Sequence, residues 1–148
     1  MPCIERATSK DLYEIEVLEK QCFSTEAFNK RQLKYLLINA NSIFLLIRDN
    51  EEIAAYLILL MRRNSSKTRI YSIAVSPKHR GMGLAKLLID KAIAQAKEHQ
   101  HKYITLEVSE NNKAAIKLYS QQGFVRFSEK QTYYRDGSNA LLMRKTLG

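Results

Sequence analysis

The sequence predicts an α/β (α+β) fold, with a mixed, mostly antiparallel sheet of about seven strands flanked by about four helices. Three observations carry this prediction. Strand-length apolar runs are interspersed with segments of helical period. Three such runs, at residues 43–48, 53–62 and 68–76, follow one another across turn-sized gaps, which is the pattern of a β-meander. Downstream of the meander, strand and helix alternate, and a βαβ crossover places parallel strands side by side.

Residues 3–7 form the first strand. Thr8 begins a helix, with Asp11 three residues on as a capping pair, and Leu12, Ile15, Leu18 and Cys22 on its apolar face. A second helix is expected over residues 28–39, carrying Leu33, Leu36 and Leu37. The polar Asp49-Asn50-Glu51 reads as a hairpin turn, and Pro77 ends the third meander strand. Residues 83–99 give the clearest helix, with Leu84, Leu87, Leu88, Ala92 and Ile93 on one face. Residues 103–108 read as a buried strand. Asn111 or Asn112 caps the next helix, which stops at Gly123, where a left-handed residue costs little. Residues 124–130 and 139–147 close the sheet. The order is β-α-α-β-β-β-α-β-α-β-β.

The chain has 148 residues, which fits a single domain over 1–148. Hydrophobic residues at 45% and charged residues at 26% allow a packed core and argue against wholesale disorder. The longest apolar run, 53–61, falls well short of the ~20 residues that span a bilayer. The opening Met1-Pro2-Cys3-Ile4-Glu5-Arg6 lacks the basic-then-apolar layout of a signal peptide. Cys3 and Cys22 have neither metal-ligand spacing nor disulfide density, so a reducing cytoplasm is the expected compartment. Lys and Arg number 24 against 15 Asp and Glu, a net charge of +9 that suggests an anionic partner. Nucleic acid, an acidic surface and a phosphorylated small molecule all satisfy that charge.

The stretch from Ile73 through Ala74, Val75, Arg80, Gly81, Met82, Gly83, Leu84 and Ala85 holds the chemistry. It runs strand, glycine-bearing loop, helix start, a junction that aims free backbone N–H groups and a positive helix end at one spot. Gly81 and Gly83 permit close approach, and Lys78 and Arg80 add charge. An ordinary βα turn would look the same on this evidence alone. No Gly-Lys-Ser/Thr follows, so the loop is not a Walker A motif, and its glycine pattern is not the dinucleotide fingerprint.

Arg80-Gly81-Met82-Gly83-Leu84-Ala85 resembles the pyrophosphate loop, Gln/Arg-x-x-Gly-x-Gly/Ala, of the GNAT N-acetyltransferases. Three more blocks match in order: Tyr71 to Val75, Leu106 to Ile116, and Leu118-Tyr119-Ser120-Gln121-Gln122-Gly123-Phe124. Within the family the chain is most similar to the ribosomal-protein alanine N-acetyltransferases and their protein N-terminal relatives. Leu106-Glu107-Val108, Asn112, Tyr119, Tyr133-Tyr134 and 139–143 carry that likeness. Three positions depart from the group's pattern. Phe23-Ser24-Thr25-Glu26 stands where Pro-Trp is common, Ser109 where Arg is, and Asn139 where Asp is.

The resemblance implies a GNAT fold and transfer of acetyl from acetyl-CoA to a primary amine, with no metal. It assigns Ile73 to Val75, Arg80 to Ala85 and Asn112 to acetyl-CoA, Glu107 to the base and Tyr119 to the acid. Tyr133 and Tyr134 are assigned to the peptide. Each has a plainer reading as well. Asn112 is also a helix cap. Glu107 shares the polar face of its strand with Tyr103 and Thr105, and that face could simply be solvated. Tyr119 could be a core aromatic, and Tyr133 and Tyr134 a surface hairpin pair. Groove lining beside the tyrosine pair is the alternative for Phe28 and Tyr35, with core packing expected of both and of Cys22; exposure is expected of His79, and a solvated turn of Arg62, Arg63, Lys67 and Arg69.

The expected acceptor is a protein N-terminal α-amine, ribosomal proteins being one source, with the enzyme a monomer or weak dimer. The alternatives are a GNAT acting on lysine or on a small amine such as a polyamine or antibiotic, and a basic nucleic-acid-binding module. The last needs aromatics interleaved with Lys/Arg on an open sheet, which the sequence lacks, so no direct contact with nucleic acid is expected, nor with membrane.

Overall fold

A computed structural model describes residues 3–39 and 41–148; the Met1-Pro2 start read above lies outside them. The strands are β1 (Ile4–Arg6), β2 (Ser42–Asp49), β3 (Glu52–Leu60), β4 (Lys67–Val75), β5 (Tyr103–Ser109), β6 (Val125–Lys130) and β7 (Ala140–Thr146). The helices are α1 (Leu12–Phe23), α2 (Lys30–Ile38), α3 (Leu84–Glu98) and α4 (Lys113–Gln121). The order matches the one expected.

The seven strands form one sheet in the order β1-β2-β3-β4-β5-β7-β6. Among the described residues only β4 and β5 pair in parallel. The last strand inserts between β5 and β6, antiparallel to both. An antiparallel β7 shields β5 from the edge and leaves β6, short and bulged at Phe127, outermost.

Apolar clusters cover both faces of the sheet. One includes Leu84, Leu88, Ile89 and Ala92 of α3 against Ala55, Leu57 and Leu59. The other includes Ile15, Leu18, Leu33 and Leu36 of α1 and α2 against Phe44, Tyr56 and Ile58. Buried on both sides, β3 explains why the longest apolar run is continuous rather than alternating.

The first turn forms as its sequence suggests: Thr8 donates its backbone N–H to Asp11 Oδ2 at 2.8 Å. The second helix is shorter than expected, because Asn29 caps it and leaves Phe28 in the preceding loop. On α3 the buried stripe runs through Ile89, while Leu87 sits at its exposed margin. The α4 helix ends at Gly123, whose φ of +93° is left-handed, and Phe124 folds back so that its ring centroid lies 6.0 Å from that of Tyr119. A Cβ at Gly123 would meet only the flexible tip of Lys145, so backbone strain is the cost of substitution. Gly123→Ala is expected to lower stability by about 1–2 kcal/mol in urea unfolding.

Candidate active site

The β4–β5 ladder is brief. It runs from Lys67 opposite Tyr103 to Ile70 opposite Leu106 and stops. At the same point the β3–β4 register skips Tyr71, a bulge that bends β4 away from its parallel neighbour. Beyond it, Tyr71–Val75 and Glu107–Ser109 diverge. Tyr71, Ser72 and Ile73 on one side and Glu107, Val108 and Ser109 on the other line a cleft of about 420 Å³, and Ala74, Val75 and the 80–85 loop are not among its lining residues.

Glu107, Tyr119, Asn112, Ile73, Tyr133 and Tyr134 all line that cleft. Glu107 projects from the polar face of β5, as its alternation predicts. Lys130 Nζ lies 2.9 Å from its Oε1 and an Arg69 guanidinium nitrogen 3.5 Å away. Burial alone would raise this carboxyl. The hydrogen bond from Lys130 and the charges of Arg69 and Lys130 outweigh burial and hold it below the usual range. Glu107 is therefore an ionised, already engaged carboxylate at neutral pH.

Tyr119 is buried on α4, and burial, then the Tyr134 charge, pushes its phenol up to about 12. It stays an O–H donor at any working pH. Asn112 caps α4, its Oδ1 accepting from the Ala115 N–H at 3.2 Å. Tyr133 and Tyr134 meet edge to face, with ring centroids 5.0 Å apart. Arg135 N–H donates to Glu26 Oε1 at 2.8 Å, which ties the β6–β7 loop to the α1–α2 loop across the cleft mouth.

At the glycine loop, Gly81 and Gly83 adopt φ of +81° and +76°, and a Cβ on either would meet nothing within 4 Å. The loop before α3 is thus open to an approaching ligand, with the helix N-terminus behind it. Ala74 and Leu84 are buried and anchor the two ends, while Met82 is exposed and Val75 and Ala85 are intermediate. The two cations expected at this loop are partly occupied elsewhere. Lys78 pairs with Glu52 at 2.6 Å, and Arg80 Nε donates to the Val75 carbonyl at 3.4 Å.

Several plain readings are corrected. His79 is buried, with Nε2 2.9 Å from Asp49 Oδ2. Tyr35 is 62% exposed rather than in the core. Phe28 and Cys22 do pack against the second apolar cluster, as expected of them, and line the cleft as well. Arg69 is no solvated turn residue, since it reaches Glu107 and lies 4.7 Å from the Tyr71 ring centroid. Of the three departures, Glu26 and Ser109 line the cleft. Asn139 instead holds the loop, its Oδ1 accepting from the Thr132 N–H at 2.8 Å and its Nδ2 donating to Glu129 at 3.1 Å.

Tyr71 and Ser72, from the block matched to the cofactor strand, line the cleft too, and Glu19, Asp136 and Ser138 line it without having been expected there. Glu19 did leave a signal: it interrupts the apolar stripe of α1 between Ile15 and Cys22, where a carboxylate must find buried partners. Among the described residues, no cluster of His, Cys, Asp or Glu is arranged to hold a metal ion. No described helix is long and apolar enough to cross a membrane.

A sheet that opens between its one parallel pair, beside a glycine-bearing helix start, is the architecture of an N-acetyltransferase. The chain belongs to the Acetyltransferase (GNAT) family, whose model matches residues 9–124, and it is an acyltransferase. It is 31% identical to the N-terminal acetyltransferase A complex catalytic subunit NAA10 of Arabidopsis thaliana, over 99% of this chain and 79% of that one. It is 27% identical to the putative [ribosomal protein bS18]-alanine N-acetyltransferase of Bacillus subtilis (strain 168), over 93% of this chain and 91% of that one. The ribosomal-protein-S18-alanine N-acetyltransferase crystal structure from Escherichia coli shares the fold, with a TM-score of 0.90 at 22% identity over 100% of this chain and 95% of that one. Acetyltransferases of this family use acetyl-CoA.

Proposed function

We propose that this chain, as a single domain over 1–148 working in the cytoplasm, transfers acetyl from acetyl-CoA to the N-terminal α-amine of a protein. Ribosomal proteins are one source of that acceptor. The observation that carries the choice of amine is the engagement of Glu107 by Lys130 and Arg69. A carboxylate so stabilised is a weak base. A protein α-amine has a reference pKa of about 7.7–8.0 and is partly neutral near pH 7, whereas a lysine amine at about 10.4 needs far more help.

In this reading the backbone of Ile73–Val75 holds the acetyl and pantetheine part, helped by Asn112. The backbone of Arg80–Ala85 and the start of α3 hold the pyrophosphate. A backbone N–H near Val75 stabilises the developing oxyanion. Tyr133 and Tyr134 frame the first residues of the acceptor. The amine nitrogen attacks the thioester carbonyl carbon, a C–N bond forms and the C–S bond breaks. Glu107 draws the amine proton away, directly or through a water. Tyr119 is the acid. A phenol near 12 is weaker than ordinary tyrosine, so its chief service is a hydrogen bond to the departing thiolate.

Glu107→Gln is expected to retain substantial activity, with kcat/KM down by about tenfold at pH 7, less than the ~10²-fold of a committed general base. The deficit narrows as pH rises through 8 and more of the amine is neutral. A loss above a thousandfold that persists at pH 9 contradicts the weak-base role. The reading as a whole is tested with acetyl-CoA and a peptide bearing both a free α-amine and an internal lysine. Fragment mass spectrometry is expected to place the acetyl group on the α-nitrogen. Acetyl on the lysine alone overturns it.

A further inference from the structure

The groove does not stop at the catalytic cleft. Phe28 and Tyr71 line a second cleft of about 460 Å³ as well as the first, so the two adjoin at this aromatic pair, whose centroids lie 5.1 Å apart. Arg31, Gln32 and Tyr35 of α2 form one wall of the second cleft, and Leu60 and Arg62 at the end of β3 form the other. Tyr35 and Ile38 are 62% and 71% exposed, an unusual amount of open apolar surface for one short helix.

The charge changes sign along the groove. Among the residues of the catalytic cleft, Glu26 and Asp136 have no basic side chain paired with them in the described residues, whereas Glu107 is held by Lys130 and Arg69 and Glu19 is buried. The second cleft carries Arg31 and Arg62 and no carboxylate. Among the described residues neither arginine is paired with an acidic side chain. An α-ammonium approaching this groove is drawn to its acidic end, and the chain that trails it lies over the basic end.

We propose that the second cleft binds the acceptor polypeptide downstream of its first residues and selects acidic side chains there, with Arg31 and Arg62 as specificity residues. This rests on the α-amine reading and adds the class of sequence that follows the amine. Tyr35 offers the trailing chain an apolar body and a hydroxyl, the usual equipment of a peptide-binding surface. Exposed charge pairs are weak, so the selection is graded rather than absolute. It also weakens with salt, since screening acts over about 10 Å at 0.1 M ionic strength.

The test uses three eight-residue peptides with identical first two residues and free α-amines, whose positions 3–6 are all Glu, all Ala or all Arg. At low ionic strength kcat/KM is expected to run Glu above Ala above Arg, with about three- to tenfold between the extremes, carried by KM and compressed by added salt. In the double variant Arg31→Glu/Arg62→Glu the order inverts. Thermal unfolding and acetyl-CoA titration of that variant check that fold and donor site are intact. If the three peptides fall within twofold of one another, or the double variant keeps the original order, the cleft inference is overturned and the α-amine reading stands. If none of the three is acetylated on its α-nitrogen while an N-blocked lysine peptide is acetylated, the α-amine reading fails and the inference with it.

Discussion

Replacing Tyr119 by phenylalanine is expected to lower kcat by about 10²-fold and to leave the acetyl-CoA Kd within about twofold. The ring fills the same space beside Phe124, so the core around α4 is kept and only the hydroxyl is lost. Tyr119 lines the catalytic cleft, and burial keeps its phenol proton in place. An interaction formed only as sulfur gains charge appears in kcat, not in donor affinity. The wild-type pH profile follows from the same geometry. Because the phenol titrates near 12, no falling limb from Tyr119 is expected in kcat below about pH 10. Steady-state kinetics and calorimetry check both statements, and wild-type turnover in Tyr119→Phe removes it as the acid.

Glu19→Ala is expected to be the most destabilising single change near the site. The Glu19 carboxylate is 1% exposed. It accepts from the Tyr56 hydroxyl on β3, the Ser72 hydroxyl on β4 at 3.3 Å and the Phe28 N–H before α2 at 2.9 Å. One side chain thus joins α1, two central strands and the loop that presents Phe28 to the groove. Truncation orphans those donors and opens a cavity, a loss of about 3–5 kcal/mol out of the 5–15 typical of a domain. Glu19→Gln keeps an acceptor and is expected to lose much less.

The pH dependence has a definite sign. Burial raises the Glu19 carboxyl above its ordinary 4.5, against the hydrogen bonds from Tyr56, Phe28 and Ser72. A group raised in the folded state contributes stability below its unfolded pKa and loses it as pH rises through the folded value. The stability difference between wild type and Glu19→Gln is therefore expected to shrink from pH 4 upward across that window. Asp11 and Glu107, both held low, slope the opposite way in wild type and variant alike, so they cancel in the difference. Urea unfolding at several pH values measures it. A difference that grows with pH would show that Glu19 is stabilised as a carboxylate.

Much of this architecture is legible in the sequence. Period and turn residues give every strand and helix, because hydrophobic spacing and caps are local properties: Asn112 caps α4 and Gly123 ends it. What could not be read is what depends on pairing. Nothing local places β7 between β5 and β6, or bulges β4 at Tyr71 so that the parallel pair opens. The same holds for the site. Alternation puts Glu107 on the polar face of β5, but Lys130 and Arg69 reach it from strands distant in sequence. For Tyr35 the sequence favours core over groove because an apolar residue on a helix is usually buried, and here α2 turns that side to a groove. The +9 charge acquires a location in the same way: Lys78 and Arg80 are partly engaged within the protein, while Arg31 and Arg62 stand open at the far end of the groove.

The central claim is transfer to an α-amine. It is tested most directly by kcat/KM for three forms of one peptide: free N-terminus without lysine, free N-terminus with an internal lysine, and N-formylated with the same lysine. The account predicts equal rates for the first two and no detectable acetylation of the third. Acetylation of the N-formylated lysine peptide, with the lysine-free peptide inert, would contradict it.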